Sequence, residues 1–191
     1  RERDEKDKAM FGGREISGKT LAVIGLGNIG ASTARDAKKL GMKLVGYDPG
    51  LSVDSAMKLP RSLKLADSIS SVVANADYIS LNIPYTKATH GIIGQDIIRH
   101  CKPDAVILNF ARGELVDSDA MKEFLDQSTG AKYISDFPDD LIWDHPNCII
   151  LPHLGASTGE AEDSAASMAA ETLRLYLEHG TVRHSVNFPD A

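Results

Sequence analysis

This chain lacks the features that mark a secreted, metal-bound or membrane-spanning protein. Among its 191 residues are only two cysteines, Cys101 and Cys148, far apart and outside any CxxC or Cys/His spacing. Neither a disulfide framework nor a metal site is therefore expected. Uninterrupted apolar runs last a handful of residues, against the roughly 20 that span a bilayer, and no charged-then-apolar leader stands out. A soluble, cytoplasmic protein without a membrane partner is the expectation. Positive charge is not in excess either. A net charge of −6 argues against nucleic acid as a partner. Residues 1–8 are all charged with mixed signs, which reads as a solvated helical turn or a frayed terminus. There is no internal repeat and no low-complexity segment.

What is present begins with Leu21-Ala22-Val23-Ile24-Gly25-Leu26-Gly27-Asn28-Ile29-Gly30. Four apolar residues read as a buried strand. Gly25 permits a tight turn, Gly27 lets backbone approach a pyrophosphate, and Gly30 lets the following helix lie close to the sheet. A helix starting there offers free N–H groups and its positive dipole end to phosphates. A second strand over Lys43–Tyr47 ends at Asp48, about 20 residues beyond the fingerprint, where a carboxylate accepts both hydroxyls of an adenosine ribose and repels a 2′-phosphate. The pattern predicts a bound dinucleotide, NAD rather than NADP. The plainer reading of Asp48-Pro49-Gly50 is a turn after a strand.

The rest of the chain alternates short apolar runs with helical stretches, which predicts an α/β fold: a Rossmann-type, doubly wound parallel sheet with helices on both faces. Strands are expected at 21–25, 43–47, 63–65, 78–83, 105–109, 132–135 and 148–151, and helices at 28–40, 69–73, 94–100, 118–127 and 159–179. The strands are mostly continuous rather than alternating in polarity, as when both faces of a sheet are covered. The last helix is long. Ser157 to Glu160 has capping-box spacing, Gly180 supplies a stop, and the stripe Met168, Thr172, Leu175 and Tyr176 is expected to face a core or a neighbouring domain.

Ligands of such sheets sit outside the carboxyl ends of the strands. Three strand ends there carry chemistry: Arg112 after 105–109, Asp136, Asp139 and Asp140 after 132–135, and His153 after 148–151. A guanidinium holds a carboxylate through two parallel hydrogen bonds. An imidazole takes a hydroxyl proton as hydride departs, and an acid on its other nitrogen sets the tautomer. That trio suits oxidation of a 2-hydroxy acid. Taken singly, each residue also has an ordinary reading as a surface ion-pair partner, loop histidine or turn cap.

Gly25–Gly30 with Asp48, the run from Asn109 through Arg112-Gly113 to Asp117, and Pro152-His153-Leu154-Gly155 together resemble the D-isomer-specific 2-hydroxyacid dehydrogenases, most of all their phosphoglycerate branch. Ser135 to Pro138 and Ser185 to Pro189 add to the latter likeness. The resemblance implies that Arg112 binds the substrate carboxylate and His153 transfers the proton. It also implies NAD contacts from Asn28, Ile29, Pro84, Thr89, Ala111 and Asp136. Where the family places a glutamate this chain has Asp139-Asp140, so the partner of His153 is read as Asp140, with Asp139 and Asp136 as alternatives. The whole of 1–191 is expected to be an NAD-binding domain excised from a longer enzyme, with substrate-binding and any regulatory domain outside it. A homodimer through this domain is also expected. The competing expectations are a glycerate, lactate or glyoxylate dehydrogenase, and a non-catalytic NAD-sensing regulator.

Overall fold

A computed structural model describes residues 12–185. The charged stretch 1–8 and most of the 185–189 segment lie outside the described residues. The chain divides after Leu151 into two compact units.

The first unit is built on seven parallel strands: β1 (Thr20–Ile24), β2 (Lys43–Tyr47), β3 (Lys64–Leu65), β4 (Tyr78–Leu81), β5 (Val106–Asn109), β6 (Lys132–Ser135) and β7 (Cys148–Ile150). Their order is β3-β2-β1-β4-β5-β6-β7. The order reverses between β1 and β4, where Leu21 pairs with Tyr78 and Ile24 with Leu81. Such a switch point opens a crevice beyond the strand ends.

Periodicity explains why β1 belongs at the centre. Its side chains alternate between two cores: Ala22 and Ile24 join the cluster of Ile79, Ile107 and Met121, while Leu21 and Val23 join that of Leu26, Ala34 and Leu44. Every one of the four is at most 4% exposed. Full burial of a large aliphatic side chain stabilises by about 1.5–3 kcal/mol, so an apolar residue on both faces is favoured only where helices cover both.

The covering helices are α1 (Asn28–Lys39), α2 (Val53–Met57), α3 (Ile69–Val73), α4 (Gln95–Ile98) and α5 (Ser118–Asp126), with a 3-10 turn at Gly113–Leu115. All seven expected strands are present, with ends shifted by a residue or two. Two elements are additional. The 3-10 turn follows Arg112, and α2 is capped by Ser52, whose hydroxyl accepts from Ser55 N at 3.2 Å.

The second unit carries α6 (Gly159–His179). Its N-cap is Thr158, accepting from Ala161 N at 3.2 Å, one residue later than the capping-box reading placed it. Gly180, at φ 66°, ends it, and Thr181 N donates to Leu175 O at 3.2 Å. Of the two expectations for the stripe, a core within this chain is corrected here: no residue of α6 is buried, Met168 is 59% exposed and Tyr176 56%. A stripe needs a facing layer to become a core, and one helix with a short tail does not supply it.

Candidate active site

The glycine turn after β1 is shaped from both sides. Gly25 has φ 89°, and a Cβ there would lie 2.5 Å from Asn82 O, so neither the backbone nor the neighbouring strand end admits a side chain. At Gly30 a Cβ would come within 1.9 Å of Gly25 O, which is how α1 approaches the strand so closely. Gly27 differs. A Cβ on it would meet nothing within 4 Å, so the turn is open on the side where α1 begins.

That opening coincides with bare helix donors. Helices α5 and α6 have side-chain caps from Asp117 and Thr158, whereas α1 starts at Gly27 with none. The N–H groups of its first turn and the positive end of its dipole therefore face the open side. A pyrophosphate satisfies both, and the residues present fit a dinucleotide.

Asp48, at the end of β2, reaches back to this turn. Its Oδ2 accepts from Leu26 N at 2.8 Å and its Oδ1 from Gly50 N at 2.9 Å. The turn reading of 48–50 is thus present, but it does not exhaust the group. Each carboxylate oxygen has a second lone-pair direction, leaving two acceptors for ribose hydroxyls.

Ile29, Pro84, Ala111 and Arg112 come together around one cleft of about 490 Å³ at the carboxyl ends of β4 and β5. Asn82 and Tyr85 line it as well and were not anticipated from the sequence. The only signal for Asn82 was a polar residue directly after an apolar strand. Arg112 Nη1 donates to Ala111 O at 2.6 Å, and its guanidinium carbon lies 5.9 Å from the centre of the Phe137 ring. Thr89 does not line this cleft. Its hydroxyl donates to Pro84 O at 2.9 Å and accepts from Thr86 N at 2.7 Å, closing the 84–89 loop on itself.

The acids after β6 separate by their bonds. Asp139 is engaged at both oxygens: Oδ1 accepts from Leu141 N at 2.9 Å and Oδ2 from the Ser118 hydroxyl. Asp140 is exposed, and Asp136 is half-buried directly after the strand. His153 is exposed at the start of the second unit. Among the described residues no cluster of His, Cys, Asp and Glu has the arrangement of a metal site, and no helix is long and apolar enough to cross a membrane.

A family model for the D-isomer specific 2-hydroxyacid dehydrogenase, NAD binding domain, matches residues 1–155. The chain belongs to that family. Its cofactor is NAD. Among its relatives is the D-3-phosphoglycerate dehydrogenase of Methanocaldococcus jannaschii, 38% identical over 194 residues, covering 98% of this chain and 37% of that protein. The chain thus spans little more than a third of the length of that relative. The NAD+-bound 3-phosphoglycerate dehydrogenase of Entamoeba histolytica superposes with a TM-score of 0.79 at 27% identity, over 93% of this chain and 57% of that one. A glyoxylate reductase from Paecilomyes thermophila superposes at 0.76, also at 27% identity, over 92% and 54%.

Proposed function

We propose that this NAD-binding domain serves a D-3-phosphoglycerate dehydrogenase, which oxidises the 2-hydroxyl of its substrate to a ketone at the entry to serine biosynthesis. The observation that carries the reading is the cleft at the switch point. It gathers the uncapped end of α1, through Ile29, and the guanidinium of Arg112 into one space.

In this reading Arg112 grips the substrate carboxylate with two parallel hydrogen bonds and so fixes which face of C2 is presented. His153 accepts the hydroxyl proton on a ring nitrogen and returns it in the reverse direction. Asp140 is assigned to the other ring nitrogen, with Asp139 the alternative. Asp136 is assigned to the nicotinamide side, and Asn28 and Ile29 to the phosphates. Bound NAD supplies the hydride acceptor. Asp48 makes that cofactor NAD in preference to NADP. The intact protein is read as a cytoplasmic homodimer, and the domain alone as nearly inactive for want of the rest of the substrate site.

Phosphoglycerate is favoured over other 2-hydroxy acids because relatives of that name match nearly the whole chain. Steady-state assays of the intact protein with D-3-phosphoglycerate, D-glycerate, D-lactate and, in reverse, glyoxylate test this directly. The highest kcat/KM is expected with the phosphorylated substrate. A preference for glyoxylate or lactate would reassign the substrate, and no turnover with any of them would favour an NAD-sensing regulator.

A further inference from the structure

Three polar side chains at the carboxyl ends of β5 and β6 are buried where apolar ones would be expected. Asn109 and Ser135 are 0% exposed and Tyr133 is 2%. Burying such groups costs several kcal/mol unless each finds a partner, so the partners reveal what the burial accomplishes.

The strands bring them together. Asn109 lies opposite Ser135 in the parallel register, and Tyr133 sits on the same face of β6 as Ser135. Asn109 Nδ2 donates to Arg112 O at 2.9 Å and to the Tyr133 hydroxyl at 3.0 Å, while its Oδ1 accepts from Ala111 N at 3.2 Å. With the amide turned over, Nδ2 would meet the Ala111 N–H, so only one orientation satisfies the network. The Ser135 side chain also interacts with the Tyr133 hydroxyl, and its Oγ accepts from Phe137 N at 3.1 Å.

A continuous run of buried polar contacts thus links the turn bearing Arg112 to the turn bearing Asp136 and Phe137. The two turns also touch directly: the Phe137 ring faces the guanidinium at 5.9 Å. We propose that Asn109, Tyr133 and Ser135 are positioning residues that lock these two turns into one unit, holding the carboxylate grip of Arg112 in fixed relation to the nicotinamide side. None of the three needs to touch substrate. The inference rests on the function proposed above.

Burial, only partly offset by the Ser135 and Asn109 hydrogen bonds, raises the Tyr133 pKa above its ordinary value. The hydroxyl therefore stays protonated throughout the assay range, and the network does not itself titrate there.

Tyr133→Phe in the intact protein keeps the ring and removes only the bridging hydroxyl. Hydrogen exchange read by mass spectrometry is expected to quicken about tenfold at both 110–113 and 136–138, with β1 and α1 unaffected. KM for the hydroxy acid is expected to rise about tenfold, with kcat within about threefold and NAD affinity within about twofold of wild type, since a small misplacement of a gripping group weighs on orientation. The pH–rate profile should keep its shape. Unchanged exchange at either turn overturns the proposal, as does a lowered Tm with KM untouched. Should that variant fail to fold, Ser135→Ala carries the test. It must quicken 136–138 and raise KM at least threefold, and unchanged values of both overturn the proposal. If wild type oxidises no hydroxy acid, the function reading fails, while the exchange data still judge the lock by itself.

Discussion

The two ends of the sheet treat polar groups in opposite ways. At the carboxyl ends of β1, β4 and β5 the first-turn donors of α1 have no side-chain cap, Gly27 opens onto empty space and Arg112 lines a cleft. At the amino ends polar groups are tied off. Asp77 accepts from Thr20 N at 2.8 Å and from Lys102 Nζ at 2.8 Å, and Arg14 pairs with Asp104 at 2.7 Å. Burial of Asp77 by itself would raise its pKa, but the bonds from Lys102 and Thr20 and the charges of Lys102 and Lys19 outweigh it and lower the pKa. The difference lies in the helix donors: the amino end ties off its charges within the chain, while at the carboxyl end the first turn of α1 has no side-chain cap.

The strongest way to break this contrast is Arg112→Ala in the intact protein. Losing a charge-assisted bidentate grip is expected to lower kcat/KM by about 10²–10³-fold, mostly through KM, with little change in Tm. Loss of Tm with kcat/KM preserved would place Arg112 among the structural charges instead.

Two glycines divide the same turn. Gly30→Ala drives a methyl into Gly25 O and should cost about 3 kcal/mol or more of stability by denaturant titration. Gly27→Ala meets nothing and should cost less than about 1 kcal/mol, yet weaken NAD binding about tenfold or more by calorimetry. Equal stability losses at the two positions would erase the distinction drawn from their surroundings.

Asp48→Ala sharpens the comparison at the ribose. NAD affinity should fall about tenfold, NADP affinity should hold or rise, and the preference should narrow accordingly. An unchanged ratio would leave Asp48 only its bonds to Leu26 and Gly50.

The smallest effect is expected at the other end. Asp77→Asn should cost about 1 kcal/mol near neutral pH without altering NAD affinity. Because the folded pKa lies below the ordinary 3.8, the contribution of the carboxylate is complete above that value and is lost as pH falls through the folded pKa. Wild type and variant should therefore converge in stability only as pH falls below 3.8 and through the folded pKa. A gap that persisted in acid would show that charge is not what Asp77 contributes.

The central strands β1 and β4 were readable because burial on both faces writes itself into sequence as continuous apolar runs, and the cofactor turn because each glycine answers a separate steric demand. Helix α2 was not readable: Val53 is 78% exposed and Met57 82%, so its apolar residues form no buried stripe. Nor was the loop-closing role of Thr89, whose hydroxyl bonds within its own loop. The lock formed by Asn109, Tyr133 and Ser135 depends on the β5–β6 register, which brings together residues distant in the chain. No local pattern records such a pairing.

The strand order also has a kinetic consequence. Among the described strands β1 comes first in the chain yet sits in the middle of the sheet, with one edge meeting β2 and the other waiting for β4, where Leu21 must find Tyr78. Closing that span costs entropy before any pairing repays it, so folding is slowed by topology whatever the final stability. Until β4 arrives, an apolar strand edge stands exposed to other chains. Crowding during synthesis, or refolding at high concentration, is where this molecule is most vulnerable to aggregation.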